Sequence, residues 1–120
     1  MTVGVIDKAA IHRLLEVIGG DPEDLQELIE DFAEIAPELV KNMQTAIQTD
    51  DADSLRIAAH SLKSNAKDMG ATSLAETSAE LEQACNDGDI SGAAADVASI
   101  ERAVTQASDA LTLIAKTLET

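Results

Sequence analysis

The chain has 120 residues, a hydrophobic fraction of 45% and a formal charge of -15, because 23 acidic residues outnumber eight basic ones. This length suits one domain with its own hydrophobic core. The charge argues against binding to nucleic acid or to an anionic membrane, since both need a broad basic face. With six Gly and two Pro, the composition favours α-helix.

Targeting and redox signals are few. The sequence has no run of 18 apolar residues and no basic segment followed by an apolar run at its start, so we expect a soluble, cytoplasmic protein. The lone Cys85 cannot form an internal disulfide and suits a reducing compartment.

The first two predicted helices cover about residues 7–18 and 22–49. Asp7 is a plausible cap for the first, and Asp21, followed by Pro and two acidic residues, is a strong start signal for the second. Apolar residues keep helical spacing for over six turns of the second helix. Pro37 lies inside it and predicts a kink or a short break.

Three more helices follow, over about residues 52–69, 73–86 and 90–118. Gly70 ends the first of these three, and Ser73 opens a capping-box pattern for the next. The last helix repeats apolar residues at alternating spacings of three and four, which is typical of a bundle seam. The sequence therefore predicts an all-α fold, an antiparallel up-down four-helix bundle with the short first helix packed across an end.

The third predicted helix carries the candidate site. On a helical projection His60 points away from the apolar stripe, with Lys67 within about 20° of it, Arg56 and Ser64 within about 40°, and Lys63 within about 60°. A neutral imidazole is a nucleophile, and neighbouring cations would attract the oxygens of an incoming phosphoryl group. The alternative is an ordinary surface histidine among cations clustered by chance.

These residues also match a family pattern. His60 followed by Leu62-Lys63-Ser64, with Gly70 ten positions after the histidine, resembles the signature of histidine phosphotransfer (HPt) domains. The likeness covers about residues 7–115. Ser64 stands where that family more often has Gly. Because the position needs a small side chain, serine should serve, at worst with some loss of docking tolerance.

The resemblance implies a phosphorelay protein. His60 would accept a phosphoryl group from the aspartyl phosphate of a receiver domain, such as that of a hybrid sensor kinase, and pass it to an aspartate of another response-regulator receiver. It also implies that Glu82 orients the imidazole and that Lys63 and Lys67 face the phosphate. For Arg56 that role competes with simple pairing to Asp53 or Asp51.

The same resemblance implies no ATP-dependent kinase activity and no bound cofactor, since the receiver supplies Mg²⁺. We expect a monomer whose receivers dock around His60, partly on apolar residues of the first two helices. His12 is predicted to be an ordinary surface residue, and neither histidine has companions at metal-ligand spacing.

Two other functions are alternatives for a helical chain of this kind. One is a non-catalytic helical adaptor that binds a receiver or kinase without being phosphorylated. The other is a dimeric kinase core that transfers from ATP, which would need a nucleotide-binding domain for which 120 residues leave no room.

Overall fold

The computed structural model describes residues 5–119, with side chains described as far as residue 117, and this part of the chain is built of five α-helices without a strand. The helices are α1 (Lys8–Val17), α2 (Pro22–Gln48), α3 (Ala52–Asp68), α4 (Thr72–Asn86) and α5 (Ala93–Glu119). The all-helical expectation is confirmed.

Three helices begin at capping aspartates, and two of these, Asp7 and Asp21, were predicted from the sequence. The side chains of Asp7, Asp21 and Asp51 accept hydrogen bonds from the backbone N–H groups of Ala9, Glu23 and Ser54 at 3.0, 2.9 and 3.0 Å. Each bond satisfies an amide that has no partner inside its helix.

The fourth helix starts at Thr72, close to the predicted position, but the capping box predicted at Ser73 does not mark its start, and the fifth helix starts later than predicted. Helix α4 has Ala71 at its N-cap with no side-chain cap, because the Ala71 carbonyl already accepts the Ala75 N–H at 2.9 Å, so helical bonding begins before Ser73. Helix α5 begins at Ala93 rather than near residue 90. There the Asp89 side chain binds the N–H and the hydroxyl of Ser91 at 3.1 and 2.7 Å, a local turn that competes with helix.

The sequence predicted a kink or a short break at Pro37. Helix α2 passes through Pro37 without interruption, so the break does not occur. A proline deprives the carbonyl of Ala33 of its helical partner. Both residues are exposed, and water can bind that carbonyl instead.

The four longer helices surround one apolar core. Helix α2 contacts α3 and α5, and α4 contacts the same two helices. Helix α1 is attached more lightly, with Ile11 as its one buried residue. Cys85 is buried and free, and burial raises the pKa of its thiol. None of the described helices is apolar over enough length to cross a membrane.

The buried stripe of α3 determines where its functional face lies. Leu55, Ala59 and Leu62 are completely buried, which fixes the rotation of the helix. His60 is consequently turned away from the core, near the middle of the helix.

Candidate functional site

The His60 imidazole is exposed, and one of its two ring nitrogens contacts a carboxylate. Its side chain is 57% exposed, and its Nδ1 lies 2.7 Å from Oε2 of Glu82 on α4. No hydrogen bond within the described part of the chain involves Nε2 of this ring. The second nitrogen therefore faces outward, where a partner can approach it.

Glu82 joins His60 to Lys63. Its other oxygen, Oε1, accepts a hydrogen bond from Nζ of Lys63 at 2.6 Å, and only 16% of the Glu82 side chain is exposed. Lys63 lowers the pKa of Glu82 most, burial opposes this effect, and His60 lowers the pKa further. Glu82 is thus a carboxylate at neutral pH.

The carboxylate determines which imidazole tautomer is favoured. An ionised carboxylate can only accept a hydrogen bond, so the proton of a neutral His60 lies on Nδ1. Nε2 then carries a lone pair directed to solvent, which is what a nucleophile requires.

Of the other residues named from the sequence, some are already paired with a carboxylate and the rest are exposed beside His60. Arg56 is paired with Asp53 at 2.8 Å, which is the alternative that the sequence left open for it. Lys67 and Ser64 are exposed on the same side of α3 as His60. Lys63 is only 27% exposed and is bound to Glu82, so its ammonium group is already paired before any phosphate arrives.

Gly70 connects α3 to α1. Its φ is +71°, and an added Cβ would lie 2.8 Å from the carbonyl oxygen of Asp7 and 3.0 Å from Cβ of Ala10. The Asp7 N–H donates to the Gly70 carbonyl at 2.7 Å. Glycine is required here both for the left-handed turn and for the close approach of α1.

This approach brings in a residue that the sequence reasoning missed. A groove of about 370 Å³ lies between α1, α3 and α4, and Arg13 lines it together with Lys63 and Lys67. Arg13 is about 50 residues before the other two in sequence, and no motif links them. The contact between the start of α1 and Gly70 places Arg13 near them.

His12 lies elsewhere. It lines an apolar groove of about 410 Å³ between α1 and the end of α5, together with residues such as Ile11 and Leu113. Among the residues that the structure describes, no group of three or more His, Cys, Asp or Glu side chains could hold a metal ion.

Comparisons with known proteins agree with one another. The family model of the Hpt domain matches residues 27–117. The crystal structure of histidine-containing phosphotransfer protein B (HptB) from Pseudomonas aeruginosa PAO1 is similar to this chain with a TM-score of 0.87 and 28% sequence identity, covering 96% of this chain and 97% of that chain. No curated protein matches the sequence.

Proposed function

This chain belongs to the Hpt domain family, and we propose that it carries phosphoryl groups between receiver domains on Nε2 of His60. The protein is a histidine phosphotransfer protein of phosphorelays. The observation that supports the acceptor most strongly is the exposed imidazole whose Nδ1 contacts Glu82 at 2.7 Å.

The proposed step is an in-line transfer. The Nε2 lone pair attacks the phosphorus of the receiver's aspartyl phosphate, an N–P bond forms, and the bond from phosphorus to the aspartyl oxygen breaks. The aspartate leaves with the electron pair as a carboxylate. Positive charge develops on the imidazole and is stabilised at Nδ1–H by Glu82, which is the role of a carboxylate beside other catalytic histidines. Transfer onward is the reverse reaction with a second receiver.

The basic residues have distinct proposed roles. Lys67 is exposed and attracts the phosphoryl oxygens or the partner's carboxylates as a point charge. Lys63 acts through Glu82, Arg56 contributes to docking at the edge of the site, and Ser64 leaves room for the receiver. The proposal assigns Mg²⁺ to the receiver and no cofactor to this chain.

We propose that α2–α5 form an antiparallel up-down four-helix bundle with α1 across one end. Two short connections, residues 49–51 and 69–71, support this arrangement because they can only join neighbouring helices that reverse direction. The hydrogen bond from the Asp7 N–H, at the start of α1, to the Gly70 carbonyl in the α3–α4 turn and the contact of α1 with α2 support its position. The proposal also includes a cytoplasmic location and a monomeric state. The formal charge of -15 supports the monomer because it opposes self-association.

The test is a transfer assay with two matched variants. The protein is incubated with a receiver domain carrying radioactive aspartyl phosphate, and label that is labile in acid and stable in base is measured. We expect label on the wild type and on His12→Gln, which changes an exposed histidine of α1, and none on His60→Gln. Label that persists in His60→Gln would move the acceptor elsewhere. Binding of receivers without any label would support the adaptor function instead.

A further inference from the structure

Three of the chain's eight basic residues line one groove beside His60. They are Arg13, Lys63 and Lys67, and the acidic residues of the same groove are Asp7 and Glu76. Acidic residues outnumber basic ones 23 to eight in the whole chain. Basic residues outnumber acidic ones in this groove, so it is a locally basic site on an acidic protein.

Two of the three cations are available to a partner. Lys63 is bound to Glu82 at 2.6 Å. Arg13 forms an ion pair with Asp7 at 3.9 Å, beyond hydrogen-bonding distance, and its side chain is 69% exposed. Asp7 caps α1 through Oδ1, which accepts the Ala9 N–H, and its Oδ2 is the oxygen that forms the loose ion pair with Arg13. Arg13 is therefore held only by a loose, exposed ion pair, and the Lys67 side chain makes no hydrogen bond or ion pair within the described residues, so both can bind an anionic group of a partner.

A docked receiver would cover this groove. A standard interface buries about 800 Å² on each partner, which corresponds to a radius of about 16 Å around its centre. The groove runs along α3 from Lys63 to Gly70, roughly 4.5 to 15 Å from His60 along the helix axis at 1.5 Å per residue. An interface centred on His60 thus reaches its full length.

We propose that Arg13, acting with Lys67, binds carboxylates on the rim of the receiver's docking face and speeds the encounter. This inference rests on the proposed function and adds a charged contact from α1 to the apolar docking surface that the sequence led us to expect on the first two helices. Arg13 lies outside residues 27–117, the part matched by the family model. A guanidinium can bind a carboxylate through two parallel hydrogen bonds, so this contact adds orientation as well as attraction.

Charge reversal at two different arginines separates the effect of the position of Arg13 from the effect of net charge. Arg13→Glu and Arg102→Glu both change the formal charge from -15 to -17. Arg102 is exposed on α5 and contacts Ser99 at 3.4 Å. The initial rate of transfer is measured from the phosphorylated receiver domain that labels the wild type fastest, at receiver concentrations below KM and at two ionic strengths.

We expect Arg13→Glu to lower kcat/KM about tenfold at low salt, with the loss shrinking at high salt and kcat unchanged, while Arg102→Glu stays within about twofold of the wild type. Equal losses in the two variants would show that only net charge matters and would overturn the inference.

A binding measurement separates this inference from the proposed function. A receiver domain activated with beryllofluoride is titrated into each variant, which requires no transfer. If the wild type is never labelled, the proposed function fails, whereas weaker binding of Arg13→Glu than of Arg102→Glu would still support the docking role of α1. Equal binding of the two variants would refute it.

Discussion

Lys63 donates to Glu82 at 2.6 Å, so the cation three residues from the histidine is paired with the carboxylate that contacts the imidazole. The sequence suggested that Lys63 faces the phosphate. The geometry instead supports an indirect effect, in which Lys63 keeps Glu82 ionised and fixed. Because Glu82 is largely buried, an unpaired charge there would be costly.

Removing the Glu82 carboxylate is expected to slow transfer without unfolding the protein. Glu82→Ala leaves the imidazole free to rotate and to change tautomer, and we expect the transfer rate to fall about 10- to 100-fold. Glu82→Gln retains an oxygen that can accept from Nδ1–H and should lose less. Glu80→Ala, an exposed glutamate on the same helix, is the control. Wild-type kinetics in Glu82→Ala would remove this residue from the site.

Lys63→Met is expected to raise the pKa of Glu82. Lys63 is the largest cause of the lowered value, and without it burial would push the pKa upward. Side-chain carbon NMR of Glu82 across a pH titration measures the shift, with Lys67→Met as the control because Lys67 makes no described contact with Glu82. A Glu82 titration that is the same in Lys63→Met and the wild type would contradict the assigned cause.

The lowered pKa of Glu82 also predicts how stability depends on acid. A carboxyl whose pKa is lower in the folded state binds more protons when unfolded, so it stabilises the fold above its unfolded pKa of about 4.3, and this contribution is lost as pH falls through the lower folded value. Between pH 6 and pH 3 we expect the wild type to lose more unfolding free energy than Glu82→Gln, which has no carboxyl group to protonate at this position. Urea denaturation at several pH values measures it, and a difference independent of pH would refute the prediction.

Gly70 has a natural control in Gly88. Both have a positive φ, but an added Cβ at Gly88 meets nothing within 4 Å, whereas at Gly70 it meets Asp7 and Ala10. Gly88→Ala should therefore cost about 1 kcal/mol of unfolding free energy, from the left-handed conformation alone. Gly70→Ala should cost about 2–3 kcal/mol, since α1 must also move. Equal costs in thermal or urea unfolding would show that α1 tolerates the extra carbon.

Ser78 offers a stabilising change. It is completely buried on α4, and its hydroxyl has no partner within the described residues. Ser78→Ala should raise the free energy of unfolding by about 1 kcal/mol beyond any gain in helix propensity. Ser64→Ala, a change at an exposed position of α3, measures that propensity gain separately, because Ser99 on α5 accepts a hydrogen bond from Arg102. A loss of stability in Ser78→Ala would mean that the hydroxyl is satisfied in solution.

Local rules explain which features the sequence could predict. Asp21 and Asp51 act on amides two or three residues away, so their capping is readable from short patterns. Ser73 matched a capping-box pattern, but the N-cap of α4 is Ala71, so that pattern did not identify the capping residue. The outward orientation of His60 followed from the apolar periodicity of α3.

Tertiary contacts explain what could not be predicted. The partner of Lys63 is 19 residues away on another helix, and nothing in the spacing distinguishes an ammonium that binds a carboxylate from one that waits for phosphate. Arg13 is separated from Lys63 by all of α2. Its place beside the site depends on how closely Asp7 approaches Gly70, a packing distance that no sequence motif encodes.

The light attachment of α1 has a dynamic consequence. With Ile11 as its one buried residue, α1 should open locally at a smaller free-energy cost than α2–α5, so its amide hydrogens should exchange with deuterium faster. Such opening would carry Arg13 away while leaving the imidazole and its carboxylate in place. A bound receiver that contacts Arg13 would stabilise the packed position of α1 and would therefore slow the exchange of its amide hydrogens.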